Sequence, residues 1–196
     1  MKSFTLLFSS ILNLSFISEN FLPEFAIEQN GKIISLETIQ TEIHLEKKSF
    51  SISFNAKEYD AEKIKFFATQ IAVSKDKSDL DEIKPGVLLF DLDYLSPGTG
   101  NATTGPYEFF SLTSNDGGHQ YITYEKNGEQ RAELISEKDG VMRLKCEVEK
   151  ISDDGKIFPL PKLKLDSLYL ILFSDANLNE QLDSGEYRTV MIVFYK

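Results

Sequence analysis

Residues 25–36 read Phe-Ala-Ile-Glu-Gln-Asn-Gly-Lys-Ile-Ile-Ser-Leu. Asn30-Gly31 is a strong signal for a two-residue β-hairpin, because the favoured turn needs φ > 0 at both central positions. Folding the chain about that pair sets Ile27 opposite Ile34 and Phe25 opposite Leu36, so one face of the hairpin is apolar. The same test works twice more downstream. Asn127-Gly128 would place Lys126 against Glu129 and Tyr121 against Leu134, and Asp154-Gly155 would place Ile151 against Phe158 and Asp153 against Lys156. Three turns with chemically sensible pairs indicate a register that is specified locally.

Apolar alternation between recurrent turn residues extends the β pattern outward from these hairpins. Further strands are expected at 38–46, 49–54, 86–93, 107–113, 141–151, 165–174 and 187–195. The runs Leu-Tyr-Leu-Ile-Leu-Phe at 168–173 and Thr-Val-Met-Ile-Val-Phe-Tyr at 189–195 are apolar on both faces, which suits strands covered on both sides. Residues 60–73 mix helix formers with strand formers, and 75–84 read as a charged loop or one helical turn. The expectation is an all-β chain: a two-layer antiparallel β-sandwich of about ten strands, with a β-barrel as alternative and one short helix within 60–84.

Residues 1–17, Met-Lys-Ser-Phe-Thr-Leu-Leu-Phe-Ser-Ser-Ile-Leu-Asn-Leu-Ser-Phe-Ile, give one Lys followed by a mostly apolar run. That is the layout of a secretory signal, and it is short and polar for a membrane span. The reading is a signal peptide over 1–18 and a single β domain over 19–196, secreted or held in the periplasm or at the cell surface. The alternative is that 1–18 is an element of the fold and the protein is a cytoplasmic interaction protein.

The formal net charge is −10, from 31 acidic and 21 basic residues among 196. Such a field repels phosphate backbones, and no Lys/Arg stripe reverses it locally, so nucleic acid is not an expected partner. Trp is absent while Phe and Tyr number 15 and 8, so a sugar platform would rest on Tyr or Phe. The single cysteine, Cys146, falls in phase with Met142, Leu144 and Val148 and reads as a core thiol.

Catalytic constellations are thin. Asp91 and Asp93 lie two apart in the expected 86–93 strand, on one face. Beside the Gly-rich 96–106 loop they would suit a hydrolase with paired carboxylates, with His119 as a further member. Against this, alternation of Phe90, Leu92 and Tyr94 explains the pair as the wet face of a strand. The glycines at 98, 100 and 105 lack the spacing and the following Lys-Ser/Thr of a phosphate cradle. His44, in phase with Glu42 and Glu46, reads as solvent-facing. No enzyme is expected.

One segment carries chemistry at a defined spacing: Asp175-Ala-Asn177-Leu-Asn179-Glu-Gln181-Leu-Asp183-Ser-Gly-Glu186. It resembles a twelve-position EF-hand-type calcium loop, with side-chain oxygens at positions one (Asp175), three (Asn177), five (Asn179) and nine (Asp183). The resemblance implies a backbone carbonyl from Gln181, a bidentate carboxylate from Glu186, and an apolar anchor at Leu182. Glu180 departs from it, standing where the pattern wants a Gly with φ > 0. Strands, not helices, are expected to flank the loop, as in prealbumin-like and Cna-B-like modules of bacterial surface proteins. Over these twelve residues the resemblance implies a structural Ca2+ that pins a hairpin in an extracellular sandwich, not a catalytic metal. Separately, the leading expectation for function is a non-enzymatic module that binds a protein or a glycan.

Overall fold

A computed structural model describes residues 23–61, 64–95, 102–104, 110–112, 120–121 and 132–195. The expected signal peptide, His119, most of the 96–106 loop and the Asn127-Gly128 turn lie outside them. The described chain is all-β, with fourteen strands numbered in chain order. One six-stranded sheet runs β2 (Lys32–Ser35), β1 (Phe25–Gln29), β4 (Phe50–Ala61), β10 (Val141–Val148), β9 (Glu133–Lys138). In it β5 (Ile64–Phe67) also pairs with β4. The other runs β3 (Gln40–Glu46), β14 (Tyr187–Tyr195), β13 (Ser167–Ser174), β6 (Thr69–Ser74), β7 (Ala102–Thr104), β8 (Gln120–Tyr121). A separate hairpin joins β11 (Lys150–Asp153) to β12 (Lys156–Pro159). Among the described residues the sheets do not close into a barrel.

Two of the sequence-derived hairpins have the expected register. Ile27 pairs with Ile34 and Leu36 N–H donates to Phe25 O; Ile151 pairs with Phe158 and Asp153 with Lys156. Asn30 and Gly31 adopt φ of 53° and 75°, the left-handed values that the two-residue turn demands. A further hairpin turns at Asp139-Gly140, joining β9 to β10.

Alternate residues of β4 (Phe50, Ile52, Phe54, Ala56) and of β10 (Met142, Leu144, Cys146, Val148) are buried. They pack in one core with Ile71 and Val73 of β6, Leu168, Leu170 and Leu172 of β13, and Val190, Ile192 and Phe194 of β14. Residues from both sheets in a single cluster make the two layers a sandwich. Each fully buried aliphatic or Phe side chain contributes about 1.5–3 kcal/mol, so this cluster dominates stability. Gln29 fastens the layers at one edge. Its buried amide donates to Glu46 O, Lys48 O and Ser49 O and accepts from Glu46 N–H at 2.7 Å.

The outer face of the second sheet is also covered. Ala72, Ile171, Phe173 and Tyr187 pack against Ile83, Leu89, Leu92, Tyr94, Leu95 and Leu182. This is why β13 and the start of β14 are apolar on both faces: one face meets the other sheet, the opposite one meets the 77–95 segment. His44 is exposed in β3, 3.2 Å from Glu42, and Cys146 is buried and in no disulfide.

Two expectations need correction. The sandwich is mixed rather than purely antiparallel, since β14 pairs with β3 and β6 with β7 in parallel. Residues 86–93 are not a strand. Leu88 makes an isolated bridge to Gln181, and N–H groups of Asp91, Leu92 and Leu95 then bond back three residues in 3-10 fashion. Leu89, Leu92 and Leu95 recur every three residues, and at three residues per turn they stack on one buried face. Phe90, which alternation would place beside Leu92, is 66% exposed. Within 60–84 the described chain is strand at Ile64–Phe67 and Thr69–Ser74, and the short helix expected there is a 3-10 piece at Lys77–Glu82, capped by Asp76 accepting from Ser78 N–H.

Candidate metal centre

The 175–186 loop connects β13 to β14, and its ends are tied by Ser174 N–H to Glu186 O at 2.9 Å and Asp175 N–H to Ala68 O at 3.0 Å. Within it, short polar side chains fold the backbone onto themselves. The Asp175 carboxylate accepts from Asn179 N–H (3.1 Å) through one oxygen and from Glu180 N–H (3.0 Å) through the other. Asn177 Oδ1 also accepts from Asn179 N–H, and Asn179 Oδ1 accepts from Gln181 N–H. Those bonds hold Leu178 and Glu180 left-handed, at φ of 58° and 63°. Each non-Gly residue in that region costs on the order of 1 kcal/mol, which the surrounding bonds must offset. Glu180 thus has the positive φ that the calcium-loop pattern asks of its sixth position.

The second half of the loop is anchored by packing. Leu182 is fully buried, its N–H donating to Val87 O and its carbonyl accepting from Gly86 N–H. Gln181 opposes Leu88 as a non-hydrogen-bonded pair, with Leu89 N–H donating to Glu180 O. Its own N–H therefore turns toward Asn179, and in an extended residue the carbonyl lies along that same edge.

Asp183 accepts from both amide groups, Asn177 Nδ2 and Asn179 Nδ2, each at 2.7 Å. Glu186 is 4% exposed, Asp175 3%. Glu186 Oε1 accepts from Ala176 N–H at 2.8 Å, whereas Oε2 is buried with no hydrogen-bond partner among the described residues. Burial first, then the charges of Asp175 and Asp183, push the Glu186 carboxyl up to about 7. Burial also raises Asp175, against the pull of its backbone N–H donors. Tyr59, from β4, donates its hydroxyl to Ala176 O at 3.1 Å. Burial and the nearby Asp175 and Glu186 charges hold its phenol up at about 12. Tyr59 is 117 residues from its partner, and nothing in its local sequence marks it as part of this site.

All six residues expected around an ion, Asp175, Asn177, Asn179, Gln181, Asp183 and Glu186, line this one loop. They are not gathered as a coordination sphere. Among the described residues no three His, Cys, Asp or Glu side chains are grouped as they would be around a metal ion. The Asn177 and Asn179 amides close the loop onto Asp183 instead. The donor set nevertheless matches a hard cation, being carboxylate, amide and backbone oxygen throughout. The unsatisfied Glu186 oxygen is the observation that sets the loop apart from an ordinary polar turn, since buried polar atoms almost always have partners.

Asp91 and Asp93 are both exposed, at the end of the 3-10 turn, with Leu92 between them buried. No helix among the described residues is long and apolar enough to cross a membrane. No protein-family model matches the chain, and no curated protein or solved structure matches it either.

Proposed function

We propose that this β-sandwich is a non-enzymatic binding module that works outside the cytoplasm on a protein or glycan partner, with a structural Ca2+ in the 175–186 loop. The observation that carries the calcium reading is the pair of buried carboxylates, Asp175 and Glu186, one of them with an oxygen left unsatisfied. Among the described residues no lysine or arginine contributes to the electrostatics of either. A buried carboxylate without a cation or a full set of donors is costly and drifts toward its neutral form. The side-chain oxygens of Asp175, Asn177, Asn179, Asp183 and Glu186 and the Gln181 carbonyl would hold the ion. Bound there, a divalent cation supplies the positive charge that the two buried carboxylates lack. Leu182 and Tyr59 would keep the loop fixed to the sheets whether or not it is filled.

The non-enzymatic part is supported by the place of Asp91 and Asp93, two wet side chains on a turn. The extracytoplasmic part rests on the 1–17 sequence, and mass spectrometry of the native protein tests it. A mature N-terminus near Glu19 agrees with export, and an intact Met1 favours the cytoplasmic reading. For the ion, Tb3+ is a suitable probe, because Tyr59 touches the loop and can sensitise its emission. We expect emission that Ca2+ competes away and Mg2+ does not, and that Glu186→Gln or Asp175→Asn abolishes. Emission unchanged in both variants would place the lanthanide elsewhere and remove the basis for the reading.

A further inference from the structure

The core-facing row of β14 runs Arg188, Val190, Ile192, Phe194, in phase with Leu172, which pairs directly with Arg188. An arginine ending an apolar row would ordinarily meet a carboxylate. Arg188 meets three backbone carbonyls: Nε donates to Leu36 O at 2.7 Å, and Nη1 to Gly185 O and Tyr187 O. Its Nη2 has no partner among the described residues. From the other sheet, Arg143 of β10 reaches across β4 toward the start of β1. Its Nη1 donates to Glu24 O and Asn55 Oδ1, and its Nη2 to Ser53 Oγ. All six acceptors are uncharged, and burial lowers both guanidinium groups from their ordinary value, with the Glu24 carboxylate nearby pulling Arg143 the other way. In a chain of net charge −10, both lie on one cleft of about 350 Å³, with Glu24, Phe25, Ser35 and Glu37 among its other walls.

We propose that this cleft binds a carboxylate group, with Arg143 and Arg188 as its two counter-charges. A guanidinium has five N–H donors, and here two on each remain: both Nη2 hydrogens of Arg188, and Nε–H with one Nη2 hydrogen of Arg143, so each group can still give charge-assisted bonds to a carboxylate oxygen. The ligand is a monoanion because Glu24 and Glu37 are exposed at the rim and repel a dianion more strongly. The volume admits a carboxylate with a small organic group, at the low end of ligand pockets. A free carboxylic acid and the carboxyl terminus of a peptide share this chemistry. The inference rests on the binding-module reading and deepens it by naming a ligand class; it does not depend on calcium.

The test is an NMR titration of the full chain at constant ionic strength, following the Arg143 and Arg188 Nε–Hε signals, in chelator and again in Ca2+. The probes are propionate, N-acetyl-alanine, N-acetyl-alaninamide and inorganic phosphate. Both acids should shift the two signals saturably, the amide should not, and phosphate should bind at least about fivefold more weakly. Tighter binding of N-acetyl-alanine than of propionate assigns a peptide terminus; equal binding assigns a free acid. Arg143→Gln should weaken propionate at least about tenfold. Glu37→Gln, at an exposed position whose loss unfolds nothing, should tighten it two- to threefold, roughly as expected for removing one screened like charge. No saturable shift, equal shifts with acid and amide, phosphate binding as tightly as propionate, or indifference to both variants overturns the proposal. Chemical turnover of a bound acid would contradict the non-enzymatic reading while leaving the cleft assignment in place, so the two fail separately.

Discussion

Replacing Glu186 by Gln should stabilise the metal-free protein at neutral pH and remove a pH dependence that the parent shows. The carboxyl titrates at about 7 in the folded state, against 4.5 for an ordinary glutamate. Below pH 4.5 both states hold the proton, and Glu186 contributes no pH dependence. Between 4.5 and 7 the unfolded chain releases it while the folded chain keeps it, so stability falls as pH rises. Above 7 the loss is complete, at about 3 kcal/mol for a shift of this size. Glutamine keeps an oxygen for Ala176 N–H and adds no charge beside Asp175. Urea denaturation in chelator at pH 4.5, 6 and 8, on parent and variant, measures the difference. The gap between them should open with pH and favour the variant by one to three kcal/mol at pH 8. A variant less stable than its parent at pH 8 in chelator would refute the claim that Glu186 is buried at an electrostatic cost.

Leu89→Ala should cost about 2–5 kcal/mol, since it empties a fully buried site, while Phe90→Ala should stay within about 0.5 kcal/mol in the same denaturation assay. Equal costs at the two positions would restore the strand reading of 86–93. Gln29→Ala should cost about 2 kcal/mol or more, because it strips the buried bonds to Glu46, Lys48 and Ser49. Amide hydrogen exchange should then accelerate first around Glu46–Ser49.

Two hairpins, one in the first sheet and the separate β11–β12 pair, are legible in the sequence because they are local. Asn30-Gly31 and Asp154-Gly155 each fix a turn conformation, and the turn fixes the register. Asp139-Gly140, between β9 and β10, carries the same turn chemistry, with φ of 52° and 75°. The 86–95 segment holds two competing periods. Alternating Phe90, Leu92 and Tyr94 suggests a strand, and only the buried face at Leu89, Leu92 and Leu95 shows that period three prevails. The parallel pairing of β3 with β14 joins segments more than 140 residues apart, and no turn chemistry encodes it. The loop is legible residue by residue, since Asp and Asn at short spacing both suit a hard cation and bend the backbone through side-chain bonds. What could not be read there is non-local: Tyr59 beneath Ala176, the depth of Glu186, and the pairing of Leu182 with Val87.

Thermal unfolding in chelator, then in millimolar Ca2+ with Mg2+ as control, tests the calcium loop most directly. An ion bound only by the folded state at about 100 times Kd adds about 2.7 kcal/mol. For a chain of this length that raises Tm by about 5–10 °C. Because the loop joins β13 to β14 within one sheet, the whole transition should move, not only a local phase. The account predicts this rise with Ca2+, little with Mg2+, and none in Asp175→Ala or Glu186→Ala. A parent protein whose Tm is the same in chelator and in Ca2+ would contradict it.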